Sequence, residues 1–178
     1  HRVDRRQRQM CIRDRPNPAN RFHSWVYRAR PDVNCIIHTH PTHVAALSMI
    51  EVPLAVSHMD LCPLYEDCAF LEAWPGVPVG NEEGEIISAA LGDKRAILLS
   101  HHGQLSTGAS IEEACVIAQL IERAAKLQLL AMAAGTIKPI LPELGREAHD
   151  WISKPKRHSA AFNYYARQNL KKHADCLN

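Results

Sequence analysis

The 178-residue sequence contains no uninterrupted apolar run near the roughly 18 residues that a transmembrane helix needs. No short apolar core flanks its start either, so neither a membrane span nor a secretory signal is expected. No C-x-x-C occurs, and the six cysteines are too few and too irregularly spaced for a secreted disulfide framework. Reduced thiols in a cytoplasmic protein are the expectation. Internal repeats and low-complexity tracts are also missing. What is present is ordinary for a globular chain, with 46% hydrophobic and 22% charged residues, which excludes a mainly disordered polypeptide.

The formal net charge of +2 is unevenly distributed. Residues 1–15 (HRVDRRQRQMCIRDR) hold six of the 21 Lys and Arg and two of the 19 Asp and Glu, leaving 15 basic against 17 acidic residues beyond them. A basic arm of this kind could bind nucleic acid. However, the eleven residues RRQRQMCIRDR resemble the translation of a transposase-type sequencing adapter. Residues 1–15 therefore read as a non-native tail, and residues 16–178 as one domain whose front is truncated. With the arm set aside, the remainder carries a net charge of −2, and neither nucleic acid nor a membrane is an expected partner.

From Pro16 onward helical and strand-like patterns alternate. Residues 22–30 read as a short amphipathic helix ended by Pro31. Residues 33–40 (VNCIIHTH) read as a strand closed by Pro41, residues 42–50 as a helix, and residues 52–59 (VPLAVSHM) as a second strand. The Pro- and Gly-rich residues 60–80 read mostly as loop. Residues 81–91 carry glutamates early and apolar residues late, as a helix would. Residues 95–100 (RAILLS) form an apolar strand pattern. Ser110 and Glu113 make a capping box ahead of a long helix, with Ile111, Ala114, Cys115, Ala118, Ile121, Ala125, Leu129 and Met132 on one face and Gly135 as its stop. Residues 147–173 form a more polar helical region interrupted by Pro155. The alternation predicts a layered α/β domain.

Two histidine motifs carry the chemistry. His38 and His40 lie two apart at a strand end, so both project from one face and could chelate a single ion; two plain surface histidines are the simpler reading. Ser100-His101-His102-Gly103 again follows an apolar strand, where a glycine permits a tight turn or close backbone approach. Taken together, three strand-end imidazoles match a catalytic metal site with an open coordination position.

The stretch RFHSWVYRARPDVNCIIHTHPTHVAALSM, followed some sixty residues later by AILLSHHGQLSTG and a long helix, resembles the class II aldolase/adducin family. The resemblance covers roughly residues 16–135. It implies a three-layer α-β-α sandwich around a central mixed or antiparallel sheet, in a cytoplasmic homotetramer of carbohydrate metabolism acting on a small sugar-like molecule. By position it makes His38, His40 and His102 the ligands of Zn2+ or another divalent ion such as Mn2+, Fe2+ or Co2+, and leaves His101 a supporting role. The implied reaction is a lyase step in which the ion stabilises the enediolate of a hydroxycarbonyl substrate as a carbon–carbon bond breaks or forms. Such chemistry needs no Schiff-base lysine, and none occurs between Pro16 and Lys94.

One position departs from the family pattern. Family aldolases carry an acid/base glutamate in P-x-x-E-x-x-x-H, whereas this sequence reads Pro16-Asn17-Pro18-Ala19-Asn20-Arg21-Phe22-His23, with Ala19 at the acid position. Alanine can neither ligate metal nor move a proton. His58 and Asp60 are candidate substitutes, with Tyr65 and Glu66 close behind. Tyr164 and Tyr165 could reach a neighbouring subunit's site, as a C-terminal tyrosine does in a family aldolase. His23 reads as support for a helix–sheet junction and His43 as helix surface. Decarboxylation, mononuclear iron oxygenation and a non-catalytic adducin-like module are the alternatives to aldol chemistry.

Overall fold

The structure is a computed structural model and describes residues 19–76 and 82–177. The adapter-like residues 1–15 lie outside these. Helix α1 (Asn20–Ala29) leads into strand β1 (Cys35–Thr39) and helix α2 (Thr42–Ser48). A 3-10 helix (Met59–Leu64), strand β2 (Cys68–Leu71) and helix α3 (Glu82–Leu91) follow. Strands β3 (Ala96–Leu99) and β4 (Gln104–Gly108) form a hairpin, and helices α4 (Ile111–Ala134), α5 (Pro142–Ile152) and α6 (Pro155–Lys172) complete the chain before a last 3-10 turn (Ala174–Leu177).

The strands make one mixed sheet in the order β1-β4-β3-β2. β4 is antiparallel to both β1 and β3, while β2 runs parallel to β3. Strands β1, β2 and β3 thus share a direction, and their C-terminal ends meet at one end of the sheet. Side chains alternate across it, so β3 feeds two cores. Ile97 and Leu99 pack with Phe22 and Val26 of α1 and Ile87 and Leu91 of α3. Ala96 and Leu98 pack with Val44 and Leu47 of α2 and Ile117 and Ile121 of α4. This is the expected three-layer α-β-α sandwich. Among the described residues no helix is long and apolar enough to cross a membrane. Cys35, Cys62, Cys68 and Cys115 are free thiols.

Three expectations need correction, and one strand, β4, had no reading from the sequence. Residues 52–57 form no strand; the backbone there bonds to the buried side chain of Gln128, which accepts from Ala55 N–H at 2.7 Å and donates to the Pro53 carbonyl at 3.0 Å. Residues 60–80, read mostly as loop, also contain β2 and most of the 3-10 helix. The strand β4 follows the second histidine motif and carries buried polar residues, with the Ser106 hydroxyl donating to the Ala114 carbonyl at 3.0 Å. On α4, Ala114, Ala118, Ile121 and Ala125 are buried as expected, but Ile111 and Met132 are exposed and Ile117, Ala124 and Gln128 are buried, so the inward face is shifted from the expected one.

At the start of α4 the serine half of the capping box forms, and the glutamate reaches one residue further back, to Ala109. Ser110 Oγ accepts from Glu113 N–H at 3.2 Å, and Glu113 Oε2 accepts from Ala109 N–H at 2.9 Å. At the sheet end opposite the histidines, Arg95 gathers the C-terminal helices. Its guanidinium pairs with Asp67 and Glu113 and donates to the Pro63 carbonyl and Ser153 Oγ, with His149 Nε2 at 3.1 Å.

Candidate metal centre

β1 delivers His38 and His40 at the end of the sheet where β3 also stops. The β3–β4 hairpin then returns through residues 100–103, closed by Leu99 N–H to the Gly103 carbonyl at 2.8 Å. That turn places His102 against the β1 pair. Ring centroids are 4.7 Å apart for His38–His40, 4.8 Å for His38–His102 and 4.7 Å for His40–His102. One ligand nitrogen from each of the three lies within 4.8 Å of the others, the set of converging ligand atoms found among the described residues.

The surroundings suit neutral, metal-ready imidazoles. His38 Nδ1 donates to the Gln104 carbonyl at 2.9 Å, which leaves Nε2 with its lone pair facing the cluster, 2.9 Å from His40 Nε2. The buried Phe22 ring meets His38 edge-on with centroids 4.9 Å apart. Burial, then the neighbouring His102, push His38 down to about 4, with His40 and His23 adding to the effect and the bond to Gln104 opposing it. Burial and His40 also lower His102. Protonation would cost the lone pairs a cation needs, so both shifts favour ligation. Three imidazole donors beside open solvent match a borderline divalent ion with a free coordination position.

Gly103 is required by the cluster. A Cβ there would stand 2.4 Å from His40 Cδ2 and 2.6 Å from the Thr39 carbonyl. His101 points away from the cluster. It adopts φ 53°, its N–H donates to the Ser48 carbonyl at 3.2 Å, and its Nε2 lies 2.8 Å from Glu51 Oε1.

The other sequence candidates are engaged elsewhere. His58 Nδ1 accepts from Asp60 N–H at 3.2 Å as the cap of the 3-10 helix, and Asp60 pairs with Arg123 at 2.7 Å. The Tyr65 ring packs on Gly145, and Glu66 pairs with Arg146. Exposed Tyr164 contacts the Tyr165 ring. No hydrogen bond or ring contact joins His58, Asp60 or Tyr164 to the three imidazoles. Ala19 packs against the core that contains Phe22, and His23 lies beside Phe22 at the helix–sheet junction. His43 is more than helix surface, because its Nδ1 is 2.6 Å from Glu122 Oε1. The sequence reading missed Gln104 and Glu122. The Gln104 contact uses a main-chain carbonyl, which side-chain chemistry does not encode. Glu122 left a signal, as a carboxylate on the inward side of α4, one turn beyond Ala118.

The chain belongs to the class II aldolase and adducin family, whose N-terminal domain model matches residues 2–129. It is 34% identical over 125 residues to a 4-hydroxy-3-prenylphenylpyruvate oxygenase/4-hydroxy-3-prenylbenzoate synthase of Streptomyces roseochromogenus, covering 70% of this chain and 45% of that protein. Similarity to the decarboxylase NovR of Streptomyces niveus is 32% over 149 residues, covering 79% of this chain and 55% of the relative. An L-fuculose phosphate aldolase of Escherichia coli is 30% identical over 129 residues, covering 72% and 59%. In structure the chain superposes on L-fuculose 1-phosphate aldolase from Glaciozyma antarctica with TM-score 0.77 and 29% identity, covering 86% of this chain and 58% of that one. The chain thus spans about half the length of these relatives.

Proposed function

We propose that the chain is the metal-site domain of a divalent-metal lyase of the class II aldolase type, which breaks or forms a carbon–carbon bond in a small hydroxycarbonyl substrate. The observation that carries this reading is the convergence of His38, His40 and His102. These three would hold the ion, zinc or a similar divalent metal, and the ion would supply Lewis-acid stabilisation of charge developing on substrate oxygen. The protein's part is to keep His38 and His102 neutral by burial, to fix the His38 tautomer through Gln104, and to shield one side of His38 with Phe22. A homotetramer in the cytoplasm acting on a sugar-like substrate belongs to the same proposal.

Ala19 favours a second reading. A retro-aldol step must remove a hydroxyl proton, and the family's glutamate position here offers only a methyl group. Decarboxylation releases its electron pair without that proton, and iron-dependent oxygenation likewise bypasses it. Two of the relatives are named for such reactions.

Elemental analysis of purified wild type and His102→Ala, with a substrate panel assayed in air and under nitrogen, separates these readings. Stoichiometric metal in the wild type, lost in His102→Ala, is expected. Oxygen-independent cleavage identifies the lyase, carbon dioxide release the decarboxylase, and oxygen consumption with bound iron the oxygenase. A metal-free wild type would overturn all three.

A further inference from the structure

Helix α2 is a strut between the two histidine motifs. At one end it follows His40 after the single residue Pro41. At the other, the Ser48 carbonyl accepts from the N–H of His101, the neighbour of His102. Where α2 sits therefore affects both ligand-bearing segments.

The start of α2 lacks a cap of its own. Its N-cap is Pro41, which has no side-chain acceptor for the N–H groups of the first turn. Glu122 of α4 supplies the acceptors from across the core. Its Oε1 accepts from His43 N–H at 3.2 Å and from His43 Nδ1 at 2.6 Å, and its Oε2 accepts from Val44 N–H at 2.9 Å. Burial works to raise the carboxyl's pKa, yet the His43 side chain and the two backbone donors hold it below the ordinary glutamate value. Glu122 thus fastens His43 and Val44, the second and third residues after Pro41, to the long helix.

We propose that Glu122 is a positioning residue of the three-histidine centre, setting its metal affinity by locking α2 in place. This rests on the reading of His38, His40 and His102 as ligands. Without the carboxylate the first turn of α2 loses its acceptors, and the His40–Pro41 junction gains freedom that a bound ion would have to remove. Supporting groups around metal sites commonly matter to this degree without touching the ion.

Cobalt(II) titration followed in the visible spectrum, with a melting curve of each metal-free protein, tests the inference on wild type, Glu122→Ala, Glu122→Gln and Ile121→Val. Glu122→Ala should bind cobalt about 10- to 100-fold more weakly, with an altered d–d envelope. Glu122→Gln retains one carbonyl acceptor and should fall between, and it carries the comparison if the alanine variant fails to fold. Ile121→Val removes a methyl group from the same core and should lower the melting temperature while leaving affinity unchanged. Wild-type affinity in both Glu122 variants, or an equal loss in Ile121→Val, overturns the inference alone. Absence of cobalt binding by the wild type overturns the metal reading and this inference with it.

Discussion

Gly103 illustrates what single residues contribute to this centre. The sequence motif suggested that a glycine after two histidines permits a tight turn or a close approach. Both hold, but what comes close is the His40 ring itself, 2.4 Å from where a Cβ would stand. Real Cβ atoms do not tolerate such a distance, and the Thr39 carbonyl at 2.6 Å blocks retreat on another side. Gly103→Ala should therefore displace the His40 imidazole and weaken cobalt binding by about tenfold or more. Gly135→Ala is the control, because nothing lies within 4 Å of its added methyl group. Equal cobalt affinity in the two variants would show that the ring has room to move.

Among the elements, those with strong apolar patterning were legible. β1, β3, α1, α2 and the start of α4 lie within a residue or two of their expected positions, because burial on a sheet or helix face leaves its period in the sequence. Elements whose burial is polar were not. β4 (Gln104–Gly108) satisfies its hydroxyl groups internally, and Gln104 Nε2 donates to Thr39 Oγ1 and to the Ala118 carbonyl while Gln104 Oε1 is buried without a partner. Residues 52–57 are apolar enough for a strand, yet Gln128 captures their backbone, a choice made by a side chain more than seventy residues away.

Docking of the C-terminal helices has the same polar character and a pH dependence of definite sign. His158 on α6 is 5% exposed and neither ring nitrogen has a hydrogen-bond partner, although Glu113 Oε1 lies 3.6 Å from Nδ1. Burial lowers its pKa from the ordinary 6.5, with Glu113 opposing and Arg95 reinforcing the shift. Below that ordinary value the unfolded chain takes up a proton that the native chain refuses, so stability is complete above it and declines as the solution is acidified. His158→Leu should remove part of this decline. Urea midpoints of wild type and variant, compared between about pH 8 and pH 5, measure the difference. Parallel pH profiles would mean that His158 contributes nothing to it.

For the whole molecule, the sheet's directions explain why two short motifs separated by about sixty residues form one centre. β1 and β3 run the same way on either side of β4, so both end at one rim, and the family resemblance had named the residues there without showing how the fold unites them. An ion bound by His38, His40 and His102 would then join β1 to the β3–β4 hairpin, a contact the unfolded chain cannot make. Ligand that binds only the native state stabilises it by about 2.7 kcal/mol at a hundredfold excess over Kd. For a domain of this size each kcal/mol moves Tm by about 2–4 °C, so saturating zinc should raise Tm by roughly 5–10 °C over chelator-treated protein. His102→Ala should melt alike with and without zinc, since two imidazoles cannot complete the set. A wild-type melting curve indifferent to zinc would mean that the native arrangement of the three histidines has no preference for the ion.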